Sequence, residues 1–237
     1  MQAIILCGGL GTRLKSVIKD IPKPMAPINN KPFLEFIFEY LKKQGVKEII
    51  LAVSYKYEVI QEYFKDEFLG IKIKYSIEKE LLGTGGAINE ALKFIKNEAY
   101  VLNGDTFFDI DLSKLKLDES KICLALKQMN DFDRYGTVNV NEQGFVLSFE
   151  EKIFKKQGLI NGGIYLLTKD IFNEFDLEKK FSFEEFLQEN YKKLKARACI
   201  FNDYFIDIGV PEDYYNFTQP TKVIFKGETP CITQIQL

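Results

Sequence analysis

The sequence predicts an α/β fold in which parallel strands alternate with helices. Three observations carry this. Apolar strand-like runs alternate with stretches of helical periodicity through the first half of the chain. A glycine cluster, Gly8, Gly9 and Gly11, follows the first of those runs at once. The chain has 237 residues, 46% of them hydrophobic, which suits one domain with a sizeable core. Strand–helix–strand order implies β-α-β units with right-handed crossovers. Ligands in such sheets bind outside the carboxyl ends of the strands, where the glycine loop falls.

Each element has its own local signal. Ala3 to Cys7 reads as a buried first strand. Phe33 to Gln44 has apolar residues at helical spacing, Pro32 suited to its first turn and Gly45 as a C-cap. Glu48 to Val53 is a second buried strand, Glu58 to Phe64 a short helix and Lys72 to Ile77 an alternating third strand. A second glycine cluster, Glu80 to Ala87, precedes a helix expected over Ile88 to Ile95. Tyr100 to Asn103 and Ile122 to Gln128 are further strands. Val138 to Val140 and Val146 to Phe149, parted by Asn-Glu-Gln-Gly, predict a hairpin. Leu159 to Leu166 is a strand interrupted by Asn161-Gly162-Gly163, the mark of a bulge or a close backbone approach. Ser182 to Glu185 is a capping box opening a helix to Leu194, and Cys199 to Phe201 is a late strand. Fewer than about 30 residues follow Pro211-Glu212-Asp213, too few for an appended second domain. One domain over residues 1–237 is expected.

Composition excludes several functions. The net charge is −2 with acids and bases mixed, so no basic block marks a nucleic-acid partner. There is no histidine, which removes Ser-His-Asp and Cys-His catalysis and His-ligated metals. Cys7, Cys123, Cys199 and Cys231 are widely spaced with no C-x-x-C, and free thiols suit a cytoplasmic protein. No signal peptide or membrane span is legible. Homo-oligomer formation is left open.

The chemistry concentrates in Leu6 to Pro24. Glycines let the backbone approach a ligand closely, and successive N–H groups form an anion-binding concavity. Arg13 follows directly, and Lys23 lies between Pro22 and Pro24. A Walker A loop needs Lys-Ser/Thr after its last glycine, whereas Thr12-Arg13 follows Gly11. A dinucleotide fingerprint needs a third glycine where Leu14 stands. Read singly, Gly83-Thr84 is a tight turn before a helix, Asn103-Gly104-Asp105 a plain turn, and Glu151-Lys152 a solvated ion pair.

Together, GGLGTRL, PKP, LGTGG, NGD, EEK, NGGIY and DIGVPED resemble, in order, the signature of the sugar-1-phosphate nucleotidyltransferases. The resemblance spans Met1 to about Asp213. It implies a Rossmann-like three-layer α/β/α nucleotidyltransferase fold with a mixed, mostly parallel central sheet, and no C-terminal β-helix. It implies transfer of a nucleoside monophosphate from an NTP to a sugar 1-phosphate, with pyrophosphate released and Mg2+ as cofactor. Carried over residue by residue, Arg13 and Lys23 would be catalytic. Leu6, Gly8, Gly9, Gly11, Thr12, Gly83 and Thr84 would bind nucleotide. Tyr135, Gly136, Glu151, Lys152, Asn161 and Gly162 would bind the sugar phosphate. Asp105 and Asp207 would hold the metal. Which of Glu150 and Glu151 meets the sugar stays open, and Asp109 and Asp111 are expected at the surface or as caps.

Many hexose-1-phosphate enzymes have R-L-x-P-x-T after the glycines, whereas Leu14 here is followed by Lys-Ser-Val-Ile. That departure, with PKPMAPINNKPFLEF, is most similar to the heptose-1-phosphate guanylyltransferases, which implies GTP, a manno-configured heptose 1-phosphate and surface-polysaccharide synthesis. The alternatives are a mannose or glucose 1-phosphate enzyme using GTP, UTP or dTTP, a choline-phosphate cytidylyltransferase, and a silent nucleotide-sugar sensor. The failed motifs weaken a kinase or a dehydrogenase.

Overall fold

The computed structural model describes residues 1–9 and 21–218. In chain order the strands and helices are β1 (Gln2–Leu6), β2 (Pro27–Ile28), β3 (Lys31–Pro32), α1 (Phe33–Lys43), β4 (Glu48–Val53), α2 (Tyr57–Phe64), β5 (Glu67–Phe68), β6 (Ile71–Ile77) and α3 (Gly83–Ala91). There follow β7 (Glu98–Asn103), β8 (Thr106–Phe108), β9 (Ile122–Phe132), β10 (Thr137–Val140), β11 (Val146–Glu150), β12 (Lys155–Thr168), α4 (Phe183–Asn190), β13 (Arg197–Phe201), β14 (Phe205–Asp207) and α5 (Pro211–Thr218).

The main sheet is mixed and runs β11-β10-β12-β7-β1-β4-β6-β5, with β9 on β12 and β13 on β9. Its centre is parallel: β1 lies between β4 and β7, and β6 adds beyond β4. Strand side chains alternate between faces. Ala3, Ile5, Ile49, Leu51 and Val53 therefore enter one core with Phe33, Ile37 and Phe38 of α1 and Ile60 and Phe64 of α2. Ile4, Ile50 and Ala52 enter the other, with Ile88 and Ala91 of α3 and Phe183, Phe186 and Leu187 of α4. Helices cover both faces, giving the three layers expected. Among the described residues, no helix is long and apolar enough to cross a membrane.

Register sets the site. Leu6 pairs with Ala52 on one side and Asn103 on the other, and Val53 pairs with Ile77. The parallel strands thus finish level, and Gly8-Gly9, Ser54, Glu78 and Gly104-Asp105 emerge side by side.

Several boundaries differ from expectation. The third helix begins at Gly83, inside the glycine cluster, and ends at Ala91 before a 3-10 turn over Leu92–Phe94. The cluster is a helix start because Gly85 and Gly86 must pass close to the 179–181 backbone and ring: added Cβ atoms would lie 2.2 Å from the Phe181 ring and 2.6 Å from the Lys179 carbonyl. Strands β9 and β12 are longer than their apolar runs because they pair with each other from Phe132–Lys155 to Ile122–Leu167, through a register shift between Asn161 and Tyr165. Ser182 caps α4, its Oγ accepting from the Glu185 N–H at 3.2 Å, but the helix stops at Asn190 instead of Leu194. Pro32 stands one residue before α1, and Gly45 takes φ +79° just beyond it. Asp111 caps a 3-10 turn by accepting from the Ser113 N–H at 3.0 Å.

Candidate active site

A cleft of about 630 Å3 opens at the carboxyl ends of the parallel strands. Leu6, Gly8, Gly9, Lys23, Gly83, Thr84 and Asp105 all line it, so residues chosen from distant stretches of sequence converge. Gly11, Thr12 and Arg13 lie outside the described residues, as does Cys231.

The loop after β1 is pinned from beneath. Ser54 Oγ donates to the Gly8 carbonyl at 2.6 Å, and a Cβ on Gly8 would sit 2.8 Å from a Glu78 carboxylate oxygen. Gly9 has nothing within 4 Å of its Cβ position among the described residues. Below the loop, Cys7 is buried, and burial followed by the Asp105 charge pushes its thiol far up, which leaves it inert.

Lys23 begins a 3-10 turn over Lys23–Met25 whose Pro24 and Met25 are buried. The turn holds the lysine against the cleft floor, with its side chain only 12% exposed and Nζ 2.6 Å from an Asp105 carboxylate oxygen. Asp105 and Asp207 are brought together by the β8–β14 ladder. Asp207 pairs with Thr106, and the Ile208 N–H donates to the Asp105 carbonyl at 2.9 Å. Asp207 accepts from the Gly209 N–H at 2.6 Å, and the Tyr135 hydroxyl lies 3.4 Å from its other oxygen. Burial, and then the Asp105 charge, raise the Asp207 carboxyl above the ordinary aspartate range. Two carboxylates that repel each other, one already holding an ammonium ion, form a donor set suited to a hard cation.

The structure places other predicted residues differently. The Thr84 hydroxyl donates to Glu184 at 2.7 Å and accepts from the Phe183 N–H at 2.8 Å. Its single proton is thus committed to tying α3 to α4, and only an acceptor lone pair remains for a nucleotide. Gly83 takes φ +72°, and a Cβ there would lie 2.4 Å from the Phe181 carbonyl, so this glycine serves packing as well as the cleft. Asn161 donates to the Tyr165 hydroxyl at 2.7 Å and accepts from the Gly163 N–H at 3.0 Å, which shapes the bulge in β12. Gly162 is buried, and its Cβ position lies 2.5 Å from the Phe108 ring, so a larger side chain there would meet that ring. Gly136 lets its strand pass the Glu150 carbonyl, 2.6 Å from its Cβ position. Glu150 is held by Lys155 at 2.6 Å, Asn139 at 2.6 Å and Thr137 at 3.1 Å, and Lys155 first among these lowers its carboxyl to about 2. Glu151 and Lys152 are exposed between β11 and β12.

Glu78 was not foreseen. It follows β6, is half-buried, and lines the cleft beside Gly8 and Gly83. One carboxylate oxygen accepts from the Leu82 N–H at 3.0 Å. Burial raises its carboxyl, partly offset by that bond. The signal was available: a carboxylate just past the end of a parallel strand falls where the glycine loop was placed. Lys180 and Glu184, also on the cleft wall, carry no such signal because they arrive from the α4 side.

The geometry agrees with known proteins. A family model described as nucleotidyl transferase matches residues 2–222. The D-glycero-alpha-D-manno-heptose 1-phosphate guanylyltransferase of Campylobacter jejuni subsp. jejuni is 90% identical over 217 residues, covering 92% of this chain and 98% of that protein. The enzyme of the same name from Aneurinibacillus thermoaerophilus is 49% identical over 223 residues, covering 90% of this chain and 95% of that one. A crystal structure of HddC from Yersinia pseudotuberculosis complexed with GMP-PN superposes with a TM-score of 0.78 at 40% identity, covering 92% of this chain and 97% of that one. With a glycine loop, a half-buried lysine and paired aspartates around one cleft, and with matches along nearly its whole length, this chain belongs to the nucleotidyl transferase family and is an enzyme of that class.

Proposed function

We propose that this chain transfers GMP from GTP to D-glycero-α-D-manno-heptose 1-phosphate, releasing pyrophosphate. The observation that carries the site is the meeting of Lys23, Asp105 and Asp207 at the end of a cleft whose other wall is Gly8, Gly9, Glu78 and Gly83. The choice of base and sugar is supported by near full-length likeness to two proteins named as guanylyltransferases of that heptose phosphate.

The sugar phosphate is already an anion at neutral pH, so the reaction needs no general base, consistent with a chain that lacks histidine. Its oxygen attacks the α-phosphorus in line, a new P–O bond forms, and the bond to the β-phosphate oxygen breaks. The barrier is the approach of two polyanions and the charge on the leaving group. Lys23, held at the centre, neutralises a phosphate near the reacting atom. Arg13 would meet the departing pyrophosphate with its planar fork. Asp105 and Asp207 would hold Mg2+, which supplies charge against phosphate oxygens. Gly8 and Gly9 offer backbone N–H groups to the triphosphate. The second carboxylate oxygen of Glu78, without a hydrogen-bond partner among the described residues, would suit the N1–H and N2–H2 donors of guanine, whereas uracil presents one N–H flanked by carbonyls that a carboxylate repels. Lys152 would take the sugar phosphate, and Tyr135, Gly136, Glu151, Asn161 and Gly162 would serve the sugar, as the family resemblance implies. Asn161 still has one N–H and one lone pair to offer.

The test is pyrophosphate release across four NTPs and several sugar 1-phosphates, with Lys152→Ala beside the wild type. The expected result is turnover with GTP and the heptose phosphate, and in Lys152→Ala a raised requirement for the sugar phosphate alone. Efficient turnover of UTP or dTTP with glucose 1-phosphate, and none with GTP and the heptose, refutes the assignment.

A further inference from the structure

Away from the cleft, two thiols meet across the sheet. Cys123 lies on β9 and Cys199 on the neighbouring parallel strand β13, where Cys123 pairs with Arg197 and Cys199 with Ala125. The two cysteines are two positions out of register and so share a face. Cys123 is buried in the core under α1, and Cys199 packs against that core from a half-exposed position. Their sulfurs are 3.8 Å apart, and the Cys199 S–H donates to the Lys114 carbonyl at 3.4 Å, which leaves the Cys123 S–H to donate to Cys199. That hydrogen bond, and then the Arg197 charge, draw the Cys199 thiol down to about 7 against the cost of its burial, while the same bond and burial push Cys123 far up. The exposed partner is therefore the nucleophile and the buried one the reserve thiol. Cys199 is therefore the readier of the two to ionise, and the one solvent can reach.

We propose that Cys123 and Cys199 form an oxidisable dithiol site that hydrogen peroxide converts to a disulfide, with loss of transferase activity. The Cys199 thiolate attacks one peroxide oxygen, an S–O bond forms and the O–O bond breaks. The departing hydroxide takes a proton to become water, and sulfur is oxidised by the two electrons that reduce the peroxide. Cys123 then attacks the sulfenic sulfur, the S–S bond forms, and the S–O bond breaks. That second hydroxide leaves with the Cys123 proton as water.

The disulfide does not fit the reduced sheet. Residues two positions out of register on adjacent strands have Cα atoms roughly 8 Å apart, beyond the ~7 Å a disulfide spans without backbone movement. From 3.8 Å the sulfurs must close by about 1.8 Å to bond. Closing the bond therefore drags β13 along β9. At the end of β13, Phe201 packs edge-on against Phe108 at 6.0 Å, and Phe108 against Phe205 at 5.4 Å. Those two rings sit on β8 and β14, which follow Asp105 and deliver Asp207, so displacement of β13 reaches both carboxylates through packed side chains.

The experiment treats the full chain with hydrogen peroxide, then maps its thiols by mass spectrometry without reduction and measures activity. The wild type is expected to yield a Cys123–Cys199 linked peptide and lose activity, both reversed by dithiothreitol. Cys199→Ser is expected to keep its activity at the same dose. In Cys123→Ser, Cys199 is expected to stop at a sulfenic acid that dimedone traps, because the serine hydroxyl cannot resolve it. The proposal is overturned if Cys199 stays alkylatable in inactivated wild type, or if Cys199→Ser is inactivated as fast. Should a variant not fold, an alkylation midpoint for wild-type Cys199 at or above ~8.5, the ordinary thiol value, overturns it alone. The mapping and alkylation arms need no substrate, so they stand whichever sugar nucleotide the enzyme makes.

Discussion

Glu78 offers the sharpest test of how the cleft reads its base. In Glu78→Gln one side-chain oxygen remains to accept from the Leu82 N–H, the 3.0 Å bond that fixes the approach to α3. The loop should therefore survive. What changes is the other side of the group, where an NH2 replaces a charged acceptor and faces the guanine donors. Losing a hydrogen bond to a charged group costs about 1.5–3 kcal/mol, or ~10- to 150-fold in affinity. GTP should bind weaker by that factor, measured by titration calorimetry without sugar phosphate, while the melting temperature holds. The wild type adds a pH signature. Because burial raises the Glu78 carboxyl, it gains its proton in milder acid than an ordinary glutamate, and the proton removes an acceptor. GTP affinity should fall as pH drops through that raised value, and the glutamine variant should show no such fall. A change under ~3-fold in Glu78→Gln, well below the loss of one such bond, would refute the reasoning.

Arg13→Lys keeps the charge but loses the bidentate fork, and turnover should drop ~100-fold, the scale of one transition-state donor; near-normal turnover would remove Arg13 from the mechanism. Asp105→Asn and Asp207→Asn should each raise the magnesium needed for half-maximal activity by at least the ~10-fold typical of losing even an outer-shell partner. Unchanged metal dependence in both would dissolve the pair. Gly162→Ala places a methyl 2.5 Å from the Phe108 ring, and overpacking of about 1–3 kcal/mol should lower the melting temperature by roughly 2–12 °C. An unshifted melting curve would mean the space beside Phe108 is open after all.

Elements whose signal is local are legible in the residues alone. β4 is read to the residue because a buried parallel strand is a continuous apolar run bounded by polar neighbours. α1 follows from apolar residues at helical spacing, buried at Phe33, Leu34, Ile37, Phe38 and Leu41. The glycine loop, Lys23, Asp105 and Asp207 were legible because each stands beside a strand end or inside a short motif, and matching that order to a family needs no knowledge of which strand pairs with which. The remaining features were set by partners far along the chain. Thr84 spends its proton on Glu184, Gly162 makes way for Phe108, and Glu150 is claimed by Lys155. Cys123 meets Cys199 solely because β9 and β13 pair in one particular register. Periodicity reports only neighbours two to four residues away, whereas a hydroxyl's partner or a glycine's free space depends on register and layer packing.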